Sequence, residues 1–172
     1  MGGAATRLEV PGRPAPLWAG RLPGWNDARR LEPELDELVT SGVRRVVCLV
    51  PAEDLEGTWG LPEYLPAVRD RFGRGFLHVP VEDGDAPAQD APFEAAVDEV
   101  DRGLLAGESA FVHCVAGCGR TGTFAACVLV RAGLPPAEAV HAFRVARGCG
   151  PEGRLQELYV ARYARRLASH RP

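Results

Sequence analysis

Cys114 and Arg120 have the residue types and the spacing needed for chemistry on a phosphate group. Five residues separate them, including Gly117 and Gly119, and Thr121 follows the arginine. An apolar, β-prone run precedes this segment and a longer apolar run follows it, which predicts a buried strand, a tight loop and a buried helix. The backbone N–H groups of such a loop and the dipole of the helix attract an anion. We therefore expect a cysteine thiolate directed at a phosphorus atom that the loop holds.

Each residue of this segment has a predicted role. The helix N-terminus and the arginine would stabilise a Cys114 thiolate, whose attack on a phosphomonoester forms a cysteinyl phosphate. The planar fork of Arg120 suits two phosphate oxygens, and the Thr121 hydroxyl is placed to donate to the sulfur and ease its departure. The residues predicted to bind phosphate are Val115, Ala116, Gly117, Cys118, Gly119 and Arg120.

Hydrolysis by this route also needs an acid that protonates the leaving oxygen. The acidic run that follows Val81 is the natural source, and Asp83, next to Gly84, is the predicted acid. Glu82 and Asp85 are its competitors. His113 has two interpretations of equal weight, because it either orients the loop through a hydrogen bond to the backbone or packs beside the strand.

The surrounding sequence alternates strands with helices, which predicts an α/β fold with a central, mostly parallel sheet of four to five strands and helices on both faces. Strands are predicted at residues 17–19, 43–50, 76–81 and 109–112, and helices near residues 31–39, 61–72, 93–104, 123–130, 136–147 and 154–167. Residues 1–15 are predicted to be an irregular arm, and residues 16–172 a single domain. In such sheets ligands bind beyond the carboxyl ends of the strands, where the loops after Val81 and from Cys114 should meet.

Composition narrows the classes of function. The net charge of −3 argues against general nucleic-acid binding, and no stretch is long and apolar enough for stable membrane insertion. The five cysteines, an odd number with several in apolar segments, do not indicate a disulfide framework. We therefore expect a reducing, cytoplasmic location. We also expect a monomer that needs no cofactor. A metal site at His113, Cys114 and Cys118 would lack a fourth ligand and face a repelling Arg120, so no metal is expected.

The run from His113 to Gly122 resembles the signature of cysteine-dependent protein tyrosine and dual-specificity phosphatases. Residues 16–24, 27–30, 78–87 and 144–148 resemble the kinase-associated phosphatase branch. This resemblance implies a parallel sheet flanked by helices, with Cys114 as nucleophile, Arg120 as phosphate clamp and Asp83 as acid. It also implies a phosphoprotein substrate carrying phosphotyrosine, phosphoserine or phosphothreonine, with a kinase suggested by the branch alone.

The chain differs from the family pattern in two respects. The acid segment is Val81-Glu82-Asp83 instead of Trp-Pro-Asp, and no phosphotyrosine-recognition segment with an Asn-Arg-Tyr core is present, which favours a shallow, dual-specificity-like site. Some members protect the nucleophile by a reversible disulfide with a nearby cysteine. That resemblance makes Cys48 a candidate partner of Cys114, with Cys118 as a rival.

Several alternatives remain open at this stage. Residues 117–122 also match Gly-x-Gly-x-x-Gly after a strand, the pattern of dinucleotide-binding sites, although the acidic strand end expected about 20 positions later is missing. A rhodanese-like sulfurtransferase and an inactive phosphate-binding module would use a similar loop. Phosphoinositides and small phosphorylated metabolites are further substrate classes that the sequence leaves open.

Overall fold

A five-stranded sheet is the centre of the computed structural model, which describes residues 5–169. The order across the sheet is β1-β2-β5-β3-β4; β1 is antiparallel to β2, and the other neighbours are parallel. The mostly parallel α/β sheet predicted from the sequence is therefore confirmed. The strands are β1 (Ala5–Leu8), β2 (Leu17–Gly20), β3 (Val43–Cys48), β4 (Phe76–His78) and β5 (Ser109–His113).

Six α-helices cover the sheet in two layers. The chain passes from β3 through α2 to β4 at the edge, and then back through α3 to β5, so right-handed crossovers put α2 and α3 on opposite faces. On one face α1 contacts α2, and on the other α4 contacts α3, α5 and α6. The helices are α1 (Leu31–Thr40), α2 (Tyr64–Phe72), α3 (Asp90–Leu105), α4 (Gly119–Arg131), α5 (Pro136–Arg147) and α6 (Arg154–Ser169). No helix within residues 5–169 is long and apolar enough to cross a membrane.

Helix α4 is the best-buried helix, as its continuous apolar sequence predicts. Every residue from Gly119 to Val130 is buried, because the helix packs between strands β2 and β5 and its three neighbouring helices. A buried helix of this kind has little freedom to shift in a close-packed interior. Its N-terminus, where the loop from Cys114 ends, is consequently fixed by the core.

The irregular arm predicted for residues 1–15 is wrong over residues 5–8, which form β1 and pair with β2. Leu8 and Val10 are buried in the core. The strand has four residues and buries one of them, so no alternation of apolar and polar residues was long enough to predict it. Residues 1–4 of the arm lie outside the described residues.

Two predicted elements are shorter than expected. Helix α2 begins at Tyr64 instead of Leu61, so Pro66 falls in the first turn, where a missing N–H removes no helical hydrogen bond. Strand β4 ends at His78, although the N–H of Val81 still donates to Leu49 O at 3.1 Å. The chain after β4 therefore follows its neighbour to the edge of the sheet before it turns away.

Candidate active site

Cys114 directly follows the central strand β5, at the carboxyl edge of the sheet. Cys114 is buried, with only 3% of its surface exposed. The backbone on both sides of it is held, since Leu49 N donates to His113 O at 3.0 Å and Leu22 N donates to Val115 O at 2.9 Å. The phosphate loop, residues 114–120, thus starts from a point that is anchored to the segments beyond β3 and β2.

Gly117 gives the phosphate loop its turn. Its φ is +78°, and a Cβ at this position would lie 2.3 Å from Gly20 O. Both the left-handed backbone and the close approach exclude a larger side chain. This supports the prediction that a loop glycine is needed for the backbone to turn.

Arg147, the last residue of α5, donates hydrogen bonds to the backbone of the phosphate loop. Its Nε donates to Gly117 O at 3.2 Å and its Nη2 to Ala116 O at 3.3 Å, while Nη1 reaches Thr6 Oγ1 at 3.2 Å. In a trans peptide the C=O and N–H point in opposite directions. With the carbonyls of Ala116 and Gly117 turned out towards Arg147, the N–H groups of Gly117 and Cys118 turn inwards. Sequence reasoning missed this role, because Arg147 lies far along the chain and its only signal was the family resemblance of residues 144–148.

Arg120 connects the phosphate loop to the acid loop, which comprises residues 79–89 between β4 and α3. The Arg120 side chain is 3% exposed; its Nη1 donates to Val81 O at 3.0 Å, and its Nη2 lies 2.9 Å from Asp83 Oδ1. The Asp83 side chain is 84% exposed. Three predicted site residues, Cys114, Arg120 and Asp83, are therefore brought to one edge of the sheet.

The acid loop carries two further carboxylates, Glu82 and Asp85. Glu82 and Asp85 line a cleft of about 270 Å³ together with Glu53 and His78. Within residues 5–169, Arg120 forms its ion pair with Asp83. This contact favours Asp83 over its two competitors as the proton donor.

His113 is buried and has a partner on each ring nitrogen. Nδ1 lies 3.0 Å from Cys114 O, which can only accept, so this nitrogen carries the hydrogen and Nε2 accepts from the Tyr64 hydroxyl. Burial lowers the pKa of His113 from 6.5 to about 4. The neutral ring therefore orients the Cys114 carbonyl, and of the two interpretations of His113 the structure favours the backbone hydrogen bond. The contribution of Tyr64 was missed, since only its inward position was evident in the sequence.

Thr121 is buried, and its hydroxyl has no hydrogen-bond partner among the residues that the structure describes. The neighbouring Thr123 hydroxyl, in contrast, donates to Gly119 O at 3.0 Å. A buried hydroxyl without a partner is costly unless a partner arrives during function. The hydrogen bond predicted from Thr121 to the sulfur of Cys114 is not formed in this structure and stays a prediction.

The cysteines depart from what the sequence predicted. Cys118 forms a disulfide with Cys149, with their Cα atoms 5.4 Å apart, so Cys118 is not available as a partner of Cys114. The cysteine count did not indicate a disulfide framework, and this single disulfide was not predicted. Cys149 lies in the α5–α6 loop, residues 148–153, which folds back onto the phosphate loop; a Cβ on Gly150 would meet Cys118 O at 2.2 Å. Cys48, Cys114 and Cys127 are free thiols.

The glycines that resembled a dinucleotide fingerprint have another explanation here. Gly119 and Gly122 give room to the α5–α6 loop, since Cβ atoms on them would lie 2.8 Å from Glu152 Oε2 and 2.9 Å from Pro151 N. Within the described residues the chain after β5 continues as helices only. The acidic strand end that a dinucleotide site requires is therefore missing.

Known proteins share a family and a fold with this chain. The family model described as "Polymorphic toxin system, DSP-PTPase phosphatase" matches residues 23–134. Cyclin-dependent kinase inhibitor 3 of Rattus norvegicus is 26% identical over 155 residues, which cover 87% of this chain and 72% of that protein. The Sus scrofa protein of the same name is 27% identical, with the same coverage.

Solved structures show the same fold. The kinase associated phosphatase with its catalytic site cysteine substituted by serine superimposes with a TM-score of 0.82 at 22% identity, covering 97% of both chains. Tk-PTP in its active form gives a TM-score of 0.73 at 27% identity, covering 96% of this chain and 99% of that one. PTPMT1 in complex with PI(5)P gives 0.74 at 18% identity, with 92% and 96% covered. Because the family model spans more than half of the chain, the chain belongs to the DSP-PTPase phosphatase family of polymorphic toxin systems.

Proposed function

We propose that this member of the DSP-PTPase phosphatase family hydrolyses phosphomonoesters on proteins through a cysteinyl-phosphate intermediate at Cys114. The observation that carries the proposal is the contact between Arg120 and Asp83. It joins a buried guanidinium, in the loop that begins at Cys114, to an exposed carboxyl group on a neighbouring loop. A clamp, a nucleophile and an acid at one edge of the sheet are what phosphate transfer to sulfur requires.

In the first step the Cys114 thiolate attacks phosphorus, an S–P bond forms and the P–O bond to the substrate oxygen breaks. Protonated Asp83 gives its proton to that leaving oxygen. The Arg120 fork and the inward N–H groups of the phosphate loop hold the phosphoryl oxygens, where charge develops in the transition state. Arg147 supports this arrangement by holding the carbonyls of the same peptides outwards.

In the second step water attacks the phosphorus of the cysteinyl phosphate and the S–P bond breaks. The Asp83 carboxylate accepts the proton of the attacking water, which returns it to its starting form. The sulfur leaves as a thiolate, and the Thr121 hydroxyl, which has no partner in the described structure, is available to donate to it. Inorganic phosphate is the second product.

Charge supports a phosphoprotein over a phosphoinositide as the substrate. Glu53, Glu82 and Asp85 line one cleft beside the acid loop, and this concentration of negative charge disfavours a headgroup with several phosphates. A phosphorylated side chain brings one phosphate into the loop. The relatives named cyclin-dependent kinase inhibitor 3 support a kinase as one such phosphoprotein.

The experiment compares phosphate release from peptides carrying phosphotyrosine, phosphoserine or phosphothreonine, from phosphoinositide vesicles, and from an aryl phosphate. The control is Cys114→Ser, which keeps the shape of the loop and loses the nucleophile. We expect release from at least one phosphopeptide and from the aryl phosphate, inhibition by vanadate, and turnover by Cys114→Ser at least ~1000-fold lower, because the covalent route is lost.

Four results would count against the proposal. Full activity of Cys114→Ser would exclude the mechanism, and release from vesicles alone would exclude the protein substrate. Sulfur transfer from thiosulfate to cyanide, without phosphate release, would favour the sulfurtransferase. An absence of both activities together with phosphate binding would indicate an inactive phosphate-binding module.

We further propose that the protein acts in the cytoplasm as a monomer. The free thiols of Cys48, Cys114 and Cys127 support a reducing compartment, while the Cys118–Cys149 disulfide argues for the opposite. Thiol titration of the protein in a freshly opened cell lysate, and light scattering of the purified protein, test the two statements.

A further inference from the structure

Gln156 lies in the first turn of α6, and its side-chain amide joins three segments around the site. The residue is 1% exposed. Its Oε1 accepts from the N–H groups of Glu152 at 2.9 Å and Gly153 at 3.4 Å, both in the α5–α6 loop. Its Nε2 donates to Asp85 O in the acid loop at 3.2 Å. A Cβ on Gly119 would lie 3.0 Å from the same Nε2, so the amide also packs against the start of α4.

Hydrogen bonds hold the backbone on both sides of Asp83. The carbonyl two residues before it, Val81 O, accepts from Arg120 at 3.0 Å, and the carbonyl two residues after it, Asp85 O, accepts from Gln156 at 3.2 Å. Both donors belong to buried side chains on well-packed helices, α4 and α6. Asp83 itself projects from the exposed segment between these two fixed points.

We propose that Gln156 is a positioning residue for the general acid: by holding the carbonyl of Asp85 it keeps Asp83 within reach of the leaving oxygen. This inference rests on the proposed function, since it presupposes that Asp83 donates the proton. Gln156 is too deeply enclosed to meet the substrate and acts through the backbone of the acid loop.

The physical reason is the small number of contacts that the tip of the acid loop has. The Asp83 side chain is 84% exposed, and Gly84 next to it has a φ of +77° and no heavy atom within 4 Å of its Cβ position. Such a segment has little packing to define its geometry, so its end points define it. An error of about 1 Å in the placement of a reacting group can lower a rate by about a hundredfold.

The test uses Gln156→Glu, which keeps an oxygen to accept from the N–H groups of Glu152 and Gly153 but has no hydrogen to donate to Asp85 O. Gln156→Ala is the second variant, in case the buried charge of the first prevents folding. The matched control is Glu157→Gln, the exposed neighbour on α6, whose carboxylate pairs with Arg144. Each protein is assayed with a series of aryl phosphates whose leaving phenols range from acidic to weakly acidic.

We expect the Gln156 variants to turn over the ester of the most acidic phenol within about threefold of the wild type, because that leaving group needs no proton. With the least acidic phenol we expect kcat to fall at least about tenfold at an unchanged KM. In an Asp83→Asn background the Gln156 substitutions should have no further effect, and Glu157→Gln should behave as the wild type. Vanadate affinity should be unchanged, since the phosphate loop is intact.

An unchanged dependence on the leaving group in both Gln156 variants would overturn the positioning role. So would a parallel loss with every substrate accompanied by weaker vanadate binding, because Gln156 would then only support the phosphate loop. If Asp83→Asn itself does not alter the dependence on the leaving group, Asp83 is not the acid. The proposed function then fails at that residue, and the role of Gln156 fails with it.

Discussion

Arg120 and Asp83 form an ion pair that joins the phosphate loop to the acid loop, with Nη2 2.9 Å from Oδ1. The same guanidinium is the predicted binding partner of the phosphate oxygens. Under the proposed function, an arriving phosphate therefore competes with the Asp83 carboxylate for Arg120.

Replacement of Asp83 by Asn tests the acid. Asn cannot donate a catalytic proton, so we expect kcat with a weakly acidic phenol as leaving group to fall about 100-fold or more, and with p-nitrophenol much less. Steady-state kinetics over a range of aryl phosphates measures the difference.

The matched controls are Asp85→Asn and Glu82→Gln, which remove the other two carboxylates of the acid loop. Both line the neighbouring cleft, so their effects should be small and independent of the leaving group. A larger loss in Asp85→Asn than in Asp83→Asn would move the acid by two residues.

His113 makes stability depend on pH. Its pKa is about 4 in the folded protein, lowered by burial, against 6.5 when exposed. Between these values the unfolded chain takes up a proton that the folded protein does not, so the free energy of unfolding decreases as the pH falls below 6.5. The resulting loss of stability accumulates at about 1.4 kcal/mol for each pH unit between the two pKa values, reaches about 3 kcal/mol near pH 4 and is complete below it.

Urea unfolding at pH 7 and pH 5 measures this contribution, with His113→Asn as the comparison. The variant should be less stable at pH 7, because the bonds to Tyr64 and Cys114 are disturbed, but should lose less stability on going to pH 5. Equal losses in the two proteins would show that His113 does not titrate in this way and that carboxyl groups account for the change.

Reduction of the Cys118–Cys149 disulfide should destabilise the protein. The bond closes a loop with a sequence separation of 31 residues, for which the chain-entropy relation gives about 3–4 kcal/mol. Both cysteines are partly exposed, so a small dithiol can reach them. We expect dithiothreitol to lower the midpoint of thermal unfolding of the wild type.

Cys149→Ser is the control for this measurement, since it cannot form the bond. Its unfolding midpoint should match that of the reduced wild type and should not respond to dithiothreitol. An unresponsive wild type whose Cys118 and Cys149 are both alkylated without prior reduction would show that the two residues exist as thiols.

A feature of this structure was predictable from the sequence when the residues that form it lie close together along the chain. The strand, loop and helix around Cys114 were predictable, because apolar periodicity and the Cys-to-Arg spacing are local signals. The contacts that hold the loop were not predictable, since Arg147 and Cys149 reach it from about thirty residues away. Thr6, which accepts a hydrogen bond from Arg147, lies more than a hundred residues before that arginine. Only the three-dimensional fold brings these residues together.

The start of helix α2 was also not predictable from the local sequence. Pro66 is unfavourable in the middle of the helix predicted near residues 61–72, and the structure accommodates it by a later start, at Tyr64. That start also puts the Tyr64 hydroxyl against His113, a contact across 49 residues that no local pattern contains. Tyr64 and His113 were therefore predictable as core residues but their mutual contact was not.

Cys48 is the remaining candidate for a protective disulfide with Cys114. Its Cα is paired with that of His113 across the parallel strands β3 and β5, so Cys48 lies next to the residue that precedes Cys114. Cys118, the rival candidate, is bonded to Cys149. Burial raises the pKa of the Cys48 thiol to about 12, so Cys48 remains protonated and is not itself a ready target of peroxide.

We expect hydrogen peroxide to oxidise the Cys114 thiolate to a sulfenic acid, with hydroxide as the other product. Cys48 then condenses with the sulfenic acid, which forms the disulfide and releases water. The high pKa of Cys48 makes this second step slow, because the attacking species is the thiolate. Peptide mapping after peroxide should therefore find the Cys48–Cys114 cross-link at low peroxide, and dithiothreitol should restore the activity. In Cys48→Ala the activity should be lost irreversibly; a wild type that shows sulfonic acid at Cys114 and no cross-link would contradict the prediction.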